Sequence, residues 1–155
     1  MPLPRAPFPG LIVRYAFFWS DEARQGRTEA RKDRPCVVVL AVRQEADRTV
    51  RVRVVPMTDT PHDAERAVAV PAKVKRHLGL DADASWIVLD EANEFVWPGV
   101  DLRPISRQKP GVWTYGVLPQ ELFEDMRVRL RSVLDQRRVR RDARLGRLGN
   151  DGQVA

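Results

Sequence analysis

The chain has 155 residues, 43% of them hydrophobic, and a formal net charge of +6, enough for one ordinary core and too little for two large domains. Its single cysteine, Cys36, excludes an internal disulfide, and no CxxC or Cys/His cluster offers zinc ligands, so a reducing, cytoplasmic setting is expected. The longest wholly apolar run, CVVVLAV, has 7 residues, and the opening MPLPRAPFPG carries prolines at 2, 4, 7 and 9; neither a membrane span nor a signal peptide is expected.

Residues 1–9 read as a proline-rich tail, and Leu11 to Trp19, rich in branched and aromatic side chains, as the first strand. Ser20 to Arg34 is a polar connection containing Gly26. Pro35 then opens a strand at Cys36 to Val42, because proline is tolerated as a first strand residue. In TVRVRVV, Thr49 to Val55, the alternation puts Val50, Val52 and Val54 on a core face and Arg51 and Arg53 on a wet one.

A second polar loop, Pro56 to Arg66, leads to a short strand at Ala67 to Val70. Pro71 at the first helical position and Gly79 just past the end bracket a short helix, AKVKRHL. SWIVLD and EFVW read as strands around the turn-like EAN, and Val112 to Val117 as another. From Pro119 the period changes, with Leu122, Met126, Leu130, Val133 and Leu134 at helical spacing. Many short strands followed by one amphipathic helix predict a mainly β (α+β) domain over residues 10–135, a small barrel with a short inserted helix, sealed by a C-terminal helix.

Charge is unevenly distributed. Arg127 to Arg147 holds nine arginines against Asp135 and Asp142, a local +7 that leaves about −1 for the rest. Residues 136–155 therefore read as a basic tail, expected to be flexible because Gly146, Gly149 and Gly152 discourage a long helix. Such a tail suits RNA, an acidic protein or an anionic surface, and equally suits a solvated helix end that keeps the chain soluble.

Four stretches carry a resemblance: GLIVRY; Glu29 five positions before Arg34-Pro35 and the valine run; VPMT, ending at Thr58; and GVLPQELFEDMRVRL. Together, from about Gly10 to about Leu134, they resemble the MazF/PemK family of toxins from bacterial toxin–antitoxin systems. The resemblance implies an SH3-like barrel and a metal-independent endoribonuclease that cuts single-stranded RNA and needs no cofactor. It also implies a homodimer with an RNA groove between subunits, and a small antitoxin with an acidic, flexible segment with which DNA would be bound. Arg34 matches the family's catalytic arginine, Glu29 its loop glutamate and Thr58 its threonine. Asp33, directly before Arg34, departs from the pattern and is placed to offset part of its charge.

The residue types are suited to the chemistry that the resemblance implies. RNA carries its own nucleophile, the 2′-OH, so cleavage needs a base, a cation for the phosphate and an acid for the leaving 5′ oxygen. Arginine suits the phosphate because its guanidinium is planar, permanently charged and grips two oxygens. Glu29 suits the base better than an arginine of pKa above about 12, and Thr58 is a hydrogen-bond donor to the same phosphate. Without the resemblance, Glu29 and Arg34 read first as an exposed ion pair at the mouth of a strand.

Arg31, Lys32, Arg51 and Arg53 are candidate RNA contacts by charge, and Trp19 by stacking on an unpaired base; Trp86, Trp97 and Trp113 read as core. His62 is either an accessory proton donor beside Thr58 or a plain loop histidine, and His77, among Lys73, Lys75 and Arg76, reads as surface. Asp90 and Glu91 lack a neighbouring ligand pattern for a metal. The alternative reading is a noncatalytic relative that stops growth by binding a protein such as DNA gyrase, or a regulatory binding module.

Overall fold

The computed structural model describes residues 2–20, 32–106 and 108–153, and for 137–153 the backbone alone. The chain is mainly β: strands β1 (Leu11–Ala16), β2 (Asp33–Gln44), β3 (Thr49–Thr58) and β4 (Ala67–Ala69), helix α1 (Ala72–His77), strands β5 (Trp86–Val88), β6 (Asn93–Val96), β7 (Leu102–Arg103) and β8 (Thr114–Val117), and helix α2 (Gln120–Gln153).

All eight strands belong to one curled antiparallel sheet built outward from β2. On one side β2 pairs with β1, whose outer edge takes β8 along Leu11–Val13 and β7 along Arg14–Tyr15. On the other it pairs with β3, whose outer edge takes β6 along Arg51–Val54 and β5 at Met57–Thr58, with β4 beyond β5. Pro56 falls between these two outer partners, where its missing N–H costs no bond on that edge.

The two-residue period of the strands serves two cores. Leu11, Val13, Tyr15, Cys36, Val38, Val52 and Val54 point to one face and pack with Phe17, Trp97 and Leu102. Ile12, Val37, Val55 and Met57 point to the other and pack with Val68, Val70, Leu78, Ile87 and Leu89, and with Met126 and Val133 of α2. Cys36, Val37 and Val38 have no exposed surface, so the apolar run read from sequence is a strand buried on both faces. The register slips once, between Val38 and Leu40, where Val39 is the extra residue of a β-bulge. Opposed residues of antiparallel strands share a face. The slip therefore brings Leu40 and Val42 onto the side of Arg53 and Arg51, where they are 44% and 46% exposed.

Several boundaries differ from the sequence reading. The first strand ends at Ala16 instead of Trp19, β2 begins at Asp33 so that Arg34 and Pro35 lie within it, and β3 runs on through VPMT to Thr58. Pro71 is the residue capping α1 instead of its first member, its carbonyl accepting from Val74 and Lys75, while Gly79 takes the left-handed φ of +70° expected just past a helix. The two-residue β7 carries no periodic signal and was not foreseen. The final helix is continuous to Gln153, through the glycines at which the sequence suggests fraying.

Among the described side chains the last of α2 in the core is Val133, so deleting residues 137–155 is expected to leave the melting temperature within about 2 °C. Met126→Ala, which opens a cavity under a fully buried side chain, is expected to cost about 3 kcal/mol and lower Tm by about 5–15 °C. Thermal melts of both variants check this, and a large loss on truncation would place the basic segment in the packed structure.

Candidate functional site

The antiparallel pairing of β2 with β3 brings the first residues of one strand beside the last of the other. Arg34 and Thr58, 24 positions apart in the sequence, thereby line one cleft of about 190 Å³. One wall is Lys32, Asp33, Arg34, Pro35, Met57, Thr58 and Asp59; the other is Lys75 of α1 with Leu80, Asp81 and Ser85 of the α1–β5 connection.

Arg34 is half-buried and held in place. Its guanidinium carbon lies 5.0 Å from the centre of the Trp19 ring, a cation–π contact, and Nη1 donates to the Met57 carbonyl at 3.4 Å. Its Nε is buried and, among the described residues, without a hydrogen-bond partner. A guanidinium so supported keeps donors available for an anion. Thr58 is 8% exposed, and its Oγ1 accepts from the Thr60 N–H at 3.2 Å, which leaves its own proton to donate.

Asp33, beside Arg34 on the same wall, has a second cation to pair with. Its carboxylate pairs with Arg14 Nε at 3.8 Å. Arg14 is itself anchored to the Ile105 carbonyl at 2.6 Å. Cys36, two residues on, is no nucleophile: burial pushes its thiol far up, and the Arg34 charge opposes this only in part.

The other sequence candidates fall in different places. Glu29 and Arg31 lie outside the described residues. Lys32 is at the cleft, and Trp19 lies under Arg34 as its support. Arg51 and Arg53 are seven and five positions before Thr58, roughly 23 and 17 Å away along β3, and both pair with Glu94 of β6, at 3.7 and 3.0 Å. The structure does not bring them to Arg34. The His62 ring donates from Nδ1 to the Thr60 carbonyl at 2.9 Å and is not among the lining residues.

Lys75 is the residue the sequence reading missed. Given no role there, it is 3% exposed, and its ammonium group donates to Asp81 Oδ1 at 2.6 Å, to Ser85 Oγ at 2.7 Å and to the Asp83 carbonyl. Three N–H groups meet three acceptors, so Lys75 is a brace for the second wall and has no donor left for a ligand. The signal available was the polar DADAS following a helix that ends at Gly79: such a connection needs an internal anchor for its carbonyls. The hydrogen bond from Lys75, followed by its charge, holds the Asp81 carboxyl below its ordinary value of 3.8.

A larger groove of about 550 Å³ lies elsewhere, between α2 and the bulged part of the sheet. Val39, Leu40, Val55, Leu89, Leu130 and Leu134 form the apolar part of its lining. Its charged rim is self-satisfied, since Glu94 takes Arg53, Asp90 takes Arg66 at 3.8 Å and Glu91 takes the Ser20 hydroxyl at 2.5 Å. Of the two, the smaller cleft is the one that gathers the sequence candidates Arg34 and Thr58. No protein-family model matches the chain, and no curated protein matches it significantly.

Lys75→Met is expected to destabilise the fold by about 1–2 kcal/mol, because it removes the three hydrogen bonds that tie this wall to α1, although the exposed Asp81 can turn to water. The Asp81 carboxyl, with its folded value below the unfolded one, contributes stability above about pH 4 that is lost as pH falls through the folded value. The acid-side fall of Tm between pH 5 and 3 should therefore be shallower in the variant than in the parent. Chemical denaturation at pH 7 and melts across that range test both, and an unchanged stability would return Lys75 to the surface.

Proposed function

We propose that the chain is a metal-independent endoribonuclease of the MazF/PemK toxin kind, acting on single-stranded RNA from a small SH3-like barrel in the cytoplasm. The observation that carries the reading is the pairing of Arg34, propped on Trp19 with donors to spare, with the Thr58 hydroxyl in one cleft. A phosphodiester seated there meets a fixed cation and a neutral donor, the two groups that offset charge developing on phosphorus.

In this scheme the 2′-oxygen gives up its proton to a base and attacks phosphorus, the bond to the 5′ oxygen breaks, and that oxygen takes up a proton. The products are a 2′,3′-cyclic phosphate and a free 5′-hydroxyl. Arg34 and Thr58 hold the non-bridging oxygens throughout. Glu29, from the sequence pattern, supplies the base. A homodimer and an acidic antitoxin segment belong to the same proposal, since a flexible acidic segment suits a cationic cleft and folds as it binds.

Purified protein is expected to fragment single-stranded RNA in excess EDTA and to spare DNA of the same sequence, which lacks the nucleophile. Arg34→Ala should lower the rate at least about a hundredfold and Thr58→Ala less, because only the first removes a full charge. Cleavage that needs magnesium, or a folded Arg34→Ala protein with full activity, contradicts the scheme. Folded wild-type protein without any cleavage would move the reading to a noncatalytic growth inhibitor that binds a protein partner.

A further inference from the structure

The second wall of the cleft has a feature that the cleavage scheme does not use. Asp81 is 73% exposed, yet its carboxylate is fixed in direction, because Lys75 Nζ at 2.6 Å and the Asp83 N–H at 3.2 Å both bond to Oδ1. Oδ2 takes up neither bond. No such pair of bonds orients Asp59, the other acid beyond Thr58, among the described residues. The exposed Lys32 side chain also stands near enough to favour the ionised form of Asp81. The cleft is thus lined by cationic Arg34 on one wall and, on the wall braced by Lys75, by a held carboxylate with an oxygen free to accept hydrogen bonds, while Asp33, the remaining cleft acid, is paired with Arg14.

An anion seated on Arg34 is repelled by such an oxygen, so what lies beside Asp81 is the uncharged part of the same ligand. If the ligand is a nucleotide, that part is a base edge. An acceptor-only group favours an edge bearing an amino group and disfavours one bearing a carbonyl, the contrast between cytosine N4 and uracil O4. We infer that Asp81, positioned by Lys75, is a specificity-determining residue that selects cytosine over uracil beside the phosphate bound at Arg34. The inference rests on the reading of the cleft as an RNA site. Lys75 acts through Asp81 and is a positioning residue.

The test is the affinity of short 2′-O-methyl oligomers of cytosine or uracil, which carry no nucleophile, measured by fluorescence anisotropy at one fixed salt concentration. Wild-type protein is expected to bind the cytosine oligomer about tenfold more tightly. Asp81→Asn, assayed where it is folded, keeps an oxygen for Lys75 and adds a donor, so it should bring the ratio to about one. Lys75→Met, assayed at a temperature where it is folded, should reduce the ratio without abolishing Arg34-dependent binding.

Equal affinity of the wild type for both oligomers, with binding lost in Arg34→Ala, overturns the role of Asp81 and leaves the RNA site standing. So does an Asp81→Asn variant that binds both oligomers more tightly by the same factor, since that is only the removal of a negative charge. Binding of neither oligomer overturns this inference and the RNA reading together.

Discussion

Burial of β2 on both faces is the constraint on which the rest of the molecule depends. A strand whose Cys36, Val37 and Val38 are wholly enclosed needs a complete layer on each side. The chain supplies one from the aromatic cluster around Phe17 and Trp97 and the other from α2 and the β4–β5 ribbon. Each fully buried aliphatic side chain contributes on the order of 2 kcal/mol, so the position of β2 is set far more firmly than any surface ion pair could set it. Arg34 stands two residues before that enclosed segment. Its backbone inherits the rigidity of the core, the foundation that the proposed phosphate contact would need.

The bulge at Val39 separates the strand into two regions. Before it, the alternation of β2 buries both faces and ends at the cleft. After it, Leu40 and Val42 turn toward the side of Arg51 and Arg53 and lie substantially exposed. Cleft and apolar groove are thus the two ends of one strand, and their chemistries are kept apart by its length. The ion pairs that Glu94 makes with both arginines keep those cations at the groove end.

Much of the framework was legible from sequence because it rests on local period. The alternation in TVRVRVV places Val52 and Val54 in the core and leaves Arg51 exposed, as read. Gly79 ends a helix, and the spacing of Met126 and Val133 seals the second core. Register was not legible, since pairing Arg34 with Tyr15 and turning Asp33 toward Arg14 are long-range outcomes that no window of sequence contains. The same holds for Lys75. Flanked by Lys73, Arg76 and His77 it reads as one more surface cation, and only the return of residues 81–85 over it supplies the acceptors that bury it. The candidate site was half visible: Arg34 and Thr58 from the motif, the opposite wall from nothing local.

The account stands on a phosphate landing at Arg34, and mapping amide chemical shifts while titrating the chain with a short 2′-O-methyl RNA tests that directly. The expected footprint is contiguous across the cleft, with the largest shifts at Arg34, Thr58, Asp81 and Ser85 and a response of the Trp19 indole as the guanidinium above it is engaged. Shifts confined to the groove beneath Leu130 and Leu134, with Arg34 and Trp19 unmoved, would contradict it.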